Sequence, residues 1–228
     1  MEPGENQTAE RPESSQVSRP IPTKILPIAA VCVFTLLISG CFGRTRYPSY
    51  YALSVAPVLR SDTGPTRQQG TVAVRRFETP AYLRQGRIVY RQAPDQIAFY
   101  EYHRWAVEPG TTVTTAVLES LRSCHVFSFV EPYDGQSRPD YLLTGRLQRL
   151  DEIDYEGEVK VEVKLSAELT NVRTGAVVWT GDVGGTSKVD GRDVSSVVVE
   201  MNRALHESIG RLLTSMEQQL TGTELSSR

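Results

Sequence analysis

One unbroken apolar run, Ile25–Gly40, opens the readable pattern of this chain; behind it, apolar positions recur with periods of two and of three to four. Val159, Val161, Val163, Leu165, Ala167 and Leu169 alternate with Lys160, Glu162, Lys164, Ser166 and Glu168. That alternation predicts a strand with one buried and one wet face. Further strands are read at Tyr50–Val55, Thr71–Phe77, Arg87–Arg91, Ile97–Trp105, Phe127–Val130 and Tyr141–Leu150. The Arg87 and Ile97 runs flank Gln92-Ala-Pro-Asp-Gln96 and form a hairpin. Asn171–Gly175 turns the chain back into Ala176–Gly181 as a second one. Val113, Val117, Leu121 and Cys124 share one face of a helix over Thr111–Cys124, with Thr111 or Thr112 as its N-cap. Val194, Val197, Met201, Leu205, Ile209, Leu212, Met216 and Leu220 place a longer helix over Asp193–Leu220, capped by Asp193. Arg60–Gly70 reads as a loop. Strands, helix, strands, helix in that order predict an α+β fold: a single domain, an antiparallel-rich β-sheet with two amphipathic helices packed on one face.

The run Ile25–Gly40 is too short to span a bilayer, since sixteen helical residues reach only about 24 Å against a hydrocarbon layer of roughly 30 Å. Lys24 and Arg19 precede it, and small residues close it, which is the pattern of a signal peptide. Ile38-Ser39-Gly40-Cys41 resembles a bacterial lipobox: a branched apolar residue, two small ones that let a peptidase approach the backbone, and a thiol that accepts the lipid. Cys41 is thus the expected lipidation site, and the acyl chains the expected membrane anchor. The stretch before Lys24 carries Glu2, Glu5, Glu10 and Glu13, unlike a short basic leader; Val17 is a candidate alternative start. The expected organisation is residues 1–40 as signal peptide with a polar extension, 41–49 as lipidated cysteine and tether, 50–220 as one domain, and 221–228 as a disordered tail. Phe42, rather than aspartate, follows the cysteine, which in a two-membrane cell directs the protein to the periplasmic face of the outer membrane. Arg44 and Arg46 stand where anionic head groups would lie, or serve solubility.

Composition narrows the function mainly by exclusion. The 228 residues carry a formal net charge of -2 with no basic stripe, which argues against nucleic acid. Of the three cysteines, Cys32 leaves with the signal peptide and Cys41 carries lipid, so Cys124 has no intrachain partner and is read as packed on the first helix. His103, His125 and His206 have no second ligand at metal spacing, and there is no G-x-S-x-G elbow. No catalytic residue, metal or cofactor is assigned. Gly181-Asp-Val-Gly-Gly185 lacks the Lys-Ser/Thr of a phosphate loop and reads as a bulge or turn. Asp151, Glu152, Asp154, Glu156 and Glu158 lack EF-hand spacing and read as a solvated strand-to-strand loop. The most unusual patch is Phe99-Tyr-Glu-Tyr-His-Arg-Trp105. It is either one buried side of a hairpin or a partner surface, with Tyr100, Tyr102 and Trp105 as interface candidates.

Taken together, the lipobox, Tyr50-Tyr51-Ala52-Leu53 behind it, the hairpin ending Tyr102-His103-Arg104-Trp105-Ala106, the helix from Pro109 to Leu121, Thr174-Gly175-Ala176-Val177-Val178-Trp179 and the closing helix resemble the ABC-type transport auxiliary lipoprotein family. The resemblance runs from Cys41 to about Leu220. It implies a non-enzymatic, lipid-anchored docking component of an MCE-type lipid transport system, with an MCE-domain protein as partner and, through it, an ABC permease and ATPase. It leaves homo-oligomerisation open. The alternative is an envelope lipoprotein that binds or hydrolyses glycan or peptidoglycan, which requires a cleft with convergent ionisable groups.

Overall fold

A computed structural model describes residues 46–59, 68–155 and 157–226. The signal peptide, the lipobox with Cys41, most of the expected Arg60–Gly70 loop and Glu156 lie outside the described residues. Eight strands form one mixed sheet: β1 (Ser49–Tyr51), β2 (Gln68–Val74), β3 (Arg87–Ala93), β4 (Gln96–Trp105), β5 (Phe127–Pro132), β6 (Tyr141–Ile153), β7 (Lys160–Asn171) and β8 (Val177–Lys188). Two helices complete it, α1 (Pro109–Cys124) between β4 and β5 and α2 (Val194–Ser226) after β8. The α+β class predicted from the alternation of elements is the class observed.

The long ladders are antiparallel: β6 pairs β7 from Tyr141↔Asn171 to Ile153↔Lys160, and β7 pairs β8 along nearly its whole length. The hairpin β3–β4 is antiparallel too. The rest of the sheet is parallel, namely β1 with β4, β2 with β5, β2 with β6 and β3 with β6. β7 occupies one edge of β6 along its length, so β2 and β3 share the other, at Tyr141–Leu143 and at Glu152–Ile153. No pattern in a single strand announces such pairings, because each is made across a helix or a hairpin.

Alternate residues of β7 point into the core as predicted: Val161, Val163, Leu165, Ala167 and Leu169 are all buried. On α2, Val197, Met201, Leu205, Ile209, Leu212 and Met216 close over them, and α1 adds Val113, Val117 and Leu121. Each such side chain contributes about 1.5–3 kcal/mol on burial. Cys124 is buried with its thiol 3.2 Å from the carbonyl oxygen of Val58.

Several local readings need correction. α1 starts at Pro109, with Glu108 rather than Thr111 or Thr112 at the N-cap. Proline at the first helical position has no N–H to satisfy, so a side-chain cap is not required there. The helix stops at His125, whose left-handed backbone (φ 52°) lets its N–H donate to the carbonyl of Arg122. Asp193 does cap α2, accepting from the Ser196 N–H at 3.1 Å and the Ser196 hydroxyl at 2.6 Å. α2 runs to Ser226, past the Leu220 that ends its apolar stripe, so the expected tail is helical there. The Gly181–Gly185 segment is neither bulge nor turn but the middle of β8. A Cβ on Gly181 would lie 2.4 Å from the Trp179 ring; the glycine makes room for a packed indole. First strand β1 is short, ending at Tyr51.

Candidate functional site around the aromatic hairpin

The acidic string from Asp151 was expected in a solvated loop. Its first two members instead belong to β6, and they are 0% and 2% exposed. They are buried because the hairpin supplies their partners, on opposite faces of the strand. Glu152 pairs in register with Val161, so it projects onto the apolar side. The Tyr100 hydroxyl donates to its carboxyl oxygens at 2.9 and 3.2 Å. Tyr100 in turn packs against Tyr90 with the rings tilted by 44° and their centroids 4.8 Å apart, and meets the His103 ring edge-on at 5.4 Å. His103 Nδ1 lies 2.9 Å from the Tyr51 hydroxyl, which ties β1 to the hairpin. A register shift between Arg87↔Arg104 and Val89↔Phe99 brings Tyr100 and His103 to the same side despite their odd spacing.

Burial pushes the Glu152 carboxyl up, Tyr100 hydrogen bonding opposes this, and the charge of Asp154 adds to the rise. Burial and Glu152 likewise push the Tyr100 hydroxyl up. The folded state therefore holds the Glu152 proton more tightly than the unfolded chain does. Its contribution to stability is greatest below the ordinary glutamate range and is lost as pH rises through the folded value. Glu152→Gln retains an acceptor for Tyr100 and cannot ionise. It is expected to raise the melting temperature at pH 7, with the gain shrinking toward pH 4; equal melting of both proteins at pH 7 would contradict the assignment.

On the other face, Arg91 Nε donates to Asp151 Oδ2 at 2.6 Å and its Nη1 to the carbonyl of Pro94 at 3.2 Å. The Tyr82 hydroxyl donates to Asp151 Oδ2 at 3.4 Å and to the Gln148 carbonyl at 3.2 Å. Burial raises the Asp151 carboxyl while Arg91 pulls it back, and burial pushes the Tyr82 hydroxyl up to about 12. Asp151 Oδ1 is buried with no partner among the described residues. This pair fastens the hairpin turn to β6.

The three interface candidates separate. Trp105 is 4% exposed, inside the core beside Tyr51, so no partner reaches it in this arrangement. Tyr100 is half-buried and engaged with Glu152. Tyr102 is half-buried, on the outer side, with the Arg46 guanidinium 6.0 Å from its ring centroid. Arg91, Asp151 and Glu152 were not found from the sequence. Their signal was the continuation of β6 beyond Leu150, and it is readable only once the hairpin is docked.

Two open clefts flank the core. One of about 930 Å³ is lined by Arg76, Glu78, Arg84, Glu108 and Arg146 among others. There Arg76 pairs with Glu108, and Arg146 with Glu78 at 2.7 Å. The other, about 680 Å³, runs between β8 and α2 past His206 and Glu207. Here Glu207 is paired with Arg203, and His206 Nδ1 lies 3.0 Å from the Ala56 carbonyl oxygen. No group of three or more His, Cys, Asp or Glu side chains with metal-holding geometry occurs among the described residues. None of the helices among the described residues is long and apolar enough to cross a membrane.

This fold, an open mixed sheet carrying two helices, is that of a transport accessory protein: residues 51–211 match the model of the ABC-type transport auxiliary lipoprotein component. The chain belongs to that family. It is similar to a crystallised protein from Xanthomonas campestris, with a TM-score of 0.66 and 18% identity over 79% of this chain and 100% of that one. A second crystal structure, of an uncharacterized protein, superposes with a TM-score of 0.59 at 14% identity over 75% of this chain and 99% of that one. At such identities the likeness speaks to fold alone. No curated protein sequence matches the chain.

Proposed function

We propose that the chain is acylated on Cys41 and acts, without chemistry of its own, as a lipid-anchored docking component of an ABC-linked, MCE-type lipid transport system on the periplasmic face of the outer membrane. The observation that carries this reading is family membership across residues 51–211, directly behind a lipobox-like Ile38-Ser39-Gly40-Cys41. In this reading residues 1–40 are removed, residues 41–49 tether, and the domain from Tyr50 docks. Each acyl methylene contributes about 0.8 kcal/mol to membrane binding, so two or three chains hold the protein on the membrane. A glycan hydrolase would need a free acid/base pair in a cleft, whereas Glu78, Glu108 and Glu207 are each tied to a guanidinium.

The docking surface is the hairpin β3–β4. Tyr102 and the turn side of β4, where Ile97 is exposed, make contact; Tyr100 and Trp105 hold that surface in shape. Cys41→Ser is expected to block processing and remove the acyl mass, read by mass spectrometry of the membrane fraction. Tyr102→Ala is expected to leave the melting temperature within about 2 °C and to weaken capture of an MCE-domain protein encoded nearby, since tyrosines dominate interface hot spots. Undiminished capture would remove Tyr102 from the interface. Failure of the wild-type protein to capture any MCE partner would overturn the transport reading.

A further inference from the structure

At the end of the hairpin far from its turn, where β1 joins it, lies a surface of different composition. β1 is the edge strand next to β4, and its Tyr51 turns inward opposite Trp105. The next position therefore turns outward: Tyr50 is 65% exposed and stands opposite Arg104. Arg104 stands opposite Arg87 on β3. The result is a row of one tyrosine and two arginines across three strands. Tyr47 (84% exposed) and Arg46, whose guanidinium lies over the Tyr102 ring, extend it toward the start of the domain.

Two features of this row call for an anionic partner. Like charges placed directly opposite on neighbouring strands repel, and Arg87 and Arg104 are so placed. Elsewhere on the molecule six arginines hold a carboxylate, while Arg75, Arg84, Arg122, Arg138, Arg173 and Arg211 form no ion pair among the described residues but are not paired across the sheet with another arginine. Among the described residues Arg46, Arg87 and Arg104 form no ion pair. Interleaved tyrosines add amphipathic rings of the kind that settle at a membrane–water boundary.

Chain length supplies the occupant. Cys41 stands five residues before Arg46, and five extended residues reach at most about 18 Å. An acyl group on Cys41 thus keeps this side of the domain within reach of lipid head groups. We propose that the outward face formed by Arg46 and Tyr47 before β1, Tyr50 on β1, Arg104 on β4 and Arg87 on β3 lies against an anionic phospholipid surface and so sets which way the domain points. The inference rests on acylation of Cys41; Tyr102, over whose ring Arg46 lies, is at the border of this face, and the hairpin turn with Ile97 is left for the transport partner.

The test places one tryptophan reporter in the mature, acylated full-length protein. Trp105 and Trp179 are buried and provide a constant background. Tyr50→Trp probes the proposed face. Phe129→Trp is the control: Phe129 is 71% exposed on β5, which joins β6 through β2 at Tyr141–Leu143, whereas β1 joins it through β4 and β3 from Glu152 on, nine residues or roughly 30 Å further along that strand. Both variants are reconstituted in vesicles of phosphatidylglycerol and acyl-brominated phosphatidylcholine. The expected result is a loss of emission at position 50 and none at position 129. That loss shrinks when Arg46→Gln and Arg104→Gln are combined, or when phosphatidylglycerol is left out. Equal loss at both positions, or none at either, in protein with a verified acyl mass overturns the surface and leaves the anchor standing. A loss at position 50 that ignores phosphatidylglycerol overturns the anionic assignment. Absence of an acyl mass overturns the anchor and this proposal together.

Discussion

Arg91→Ala is expected to destabilise the domain by about 3–5 kcal/mol, because it strips a buried carboxylate of its guanidinium. For a domain of this size that is a fall in melting temperature of roughly 6–20 °C. Asp151 is 0% exposed, and its Oδ1 already lacks a partner among the described residues, so without Arg91 only the Tyr82 hydroxyl and the charge of Arg149 are left to offset the buried carboxylate. Without Arg91 the carboxyl, already raised by burial, rises further. A group whose folded pKa is raised gives up stability as pH climbs through that value, so the deficit of the variant is largest at neutral pH and smaller near pH 4. The double variant Arg91→Met with Asp151→Leu removes both charges together and is expected to recover most of the loss. Melting of the single variant within 2 °C of wild type at pH 7 would mean that the pair does not fasten the hairpin.

Trp105→Ala carries a penalty of similar size, about 3–5 kcal/mol for truncating a buried aromatic. The indole Nε1 of Trp105 is buried with no partner among the described residues. Trp105→Phe therefore gives up volume but also removes an unmet donor, and it is expected to melt well above Trp105→Ala. This pair of variants also separates shape from contact. Below its own melting point, Trp105→Ala is expected to capture the MCE-domain partner less well because the surface loses its support, while Tyr102→Ala keeps the wild-type melting temperature and captures it poorly. Undiminished capture by folded Trp105→Ala would mean that the ring supports the core and not the docking surface.

The elements were legible where one strand or helix decides its own burial. β7 alternates strictly, α2 repeats every three to four residues behind an aspartate cap, and Pro94-Asp95 sits between two β-rich runs. What stayed illegible depends on partners far along the chain. Asp151 and Glu152 look solvated until Arg91 and Tyr100 arrive from about 50–60 residues away. Gly181 looks like a turn until the Trp179 ring is seen to need its space. Trp105 was balanced between core and interface, and only the pairing of β1 with β4 puts it inside. Neither cleft had a sequence signal, because each is lined by residues from several separate elements.

Because β7 fills one edge of β6 while β2 and β3 divide the other, the two halves of the domain have unequal histories. β6, β7 and β8 are consecutive meander strands and can assemble as soon as they exist. β1 to β4 come first in the chain, yet the edge that β2 and β3 need is on β6, further along it. Until β6 is in place Arg91 and Tyr100 lack their carboxylate partners, so the packing of the early half of the chain waits for the later half.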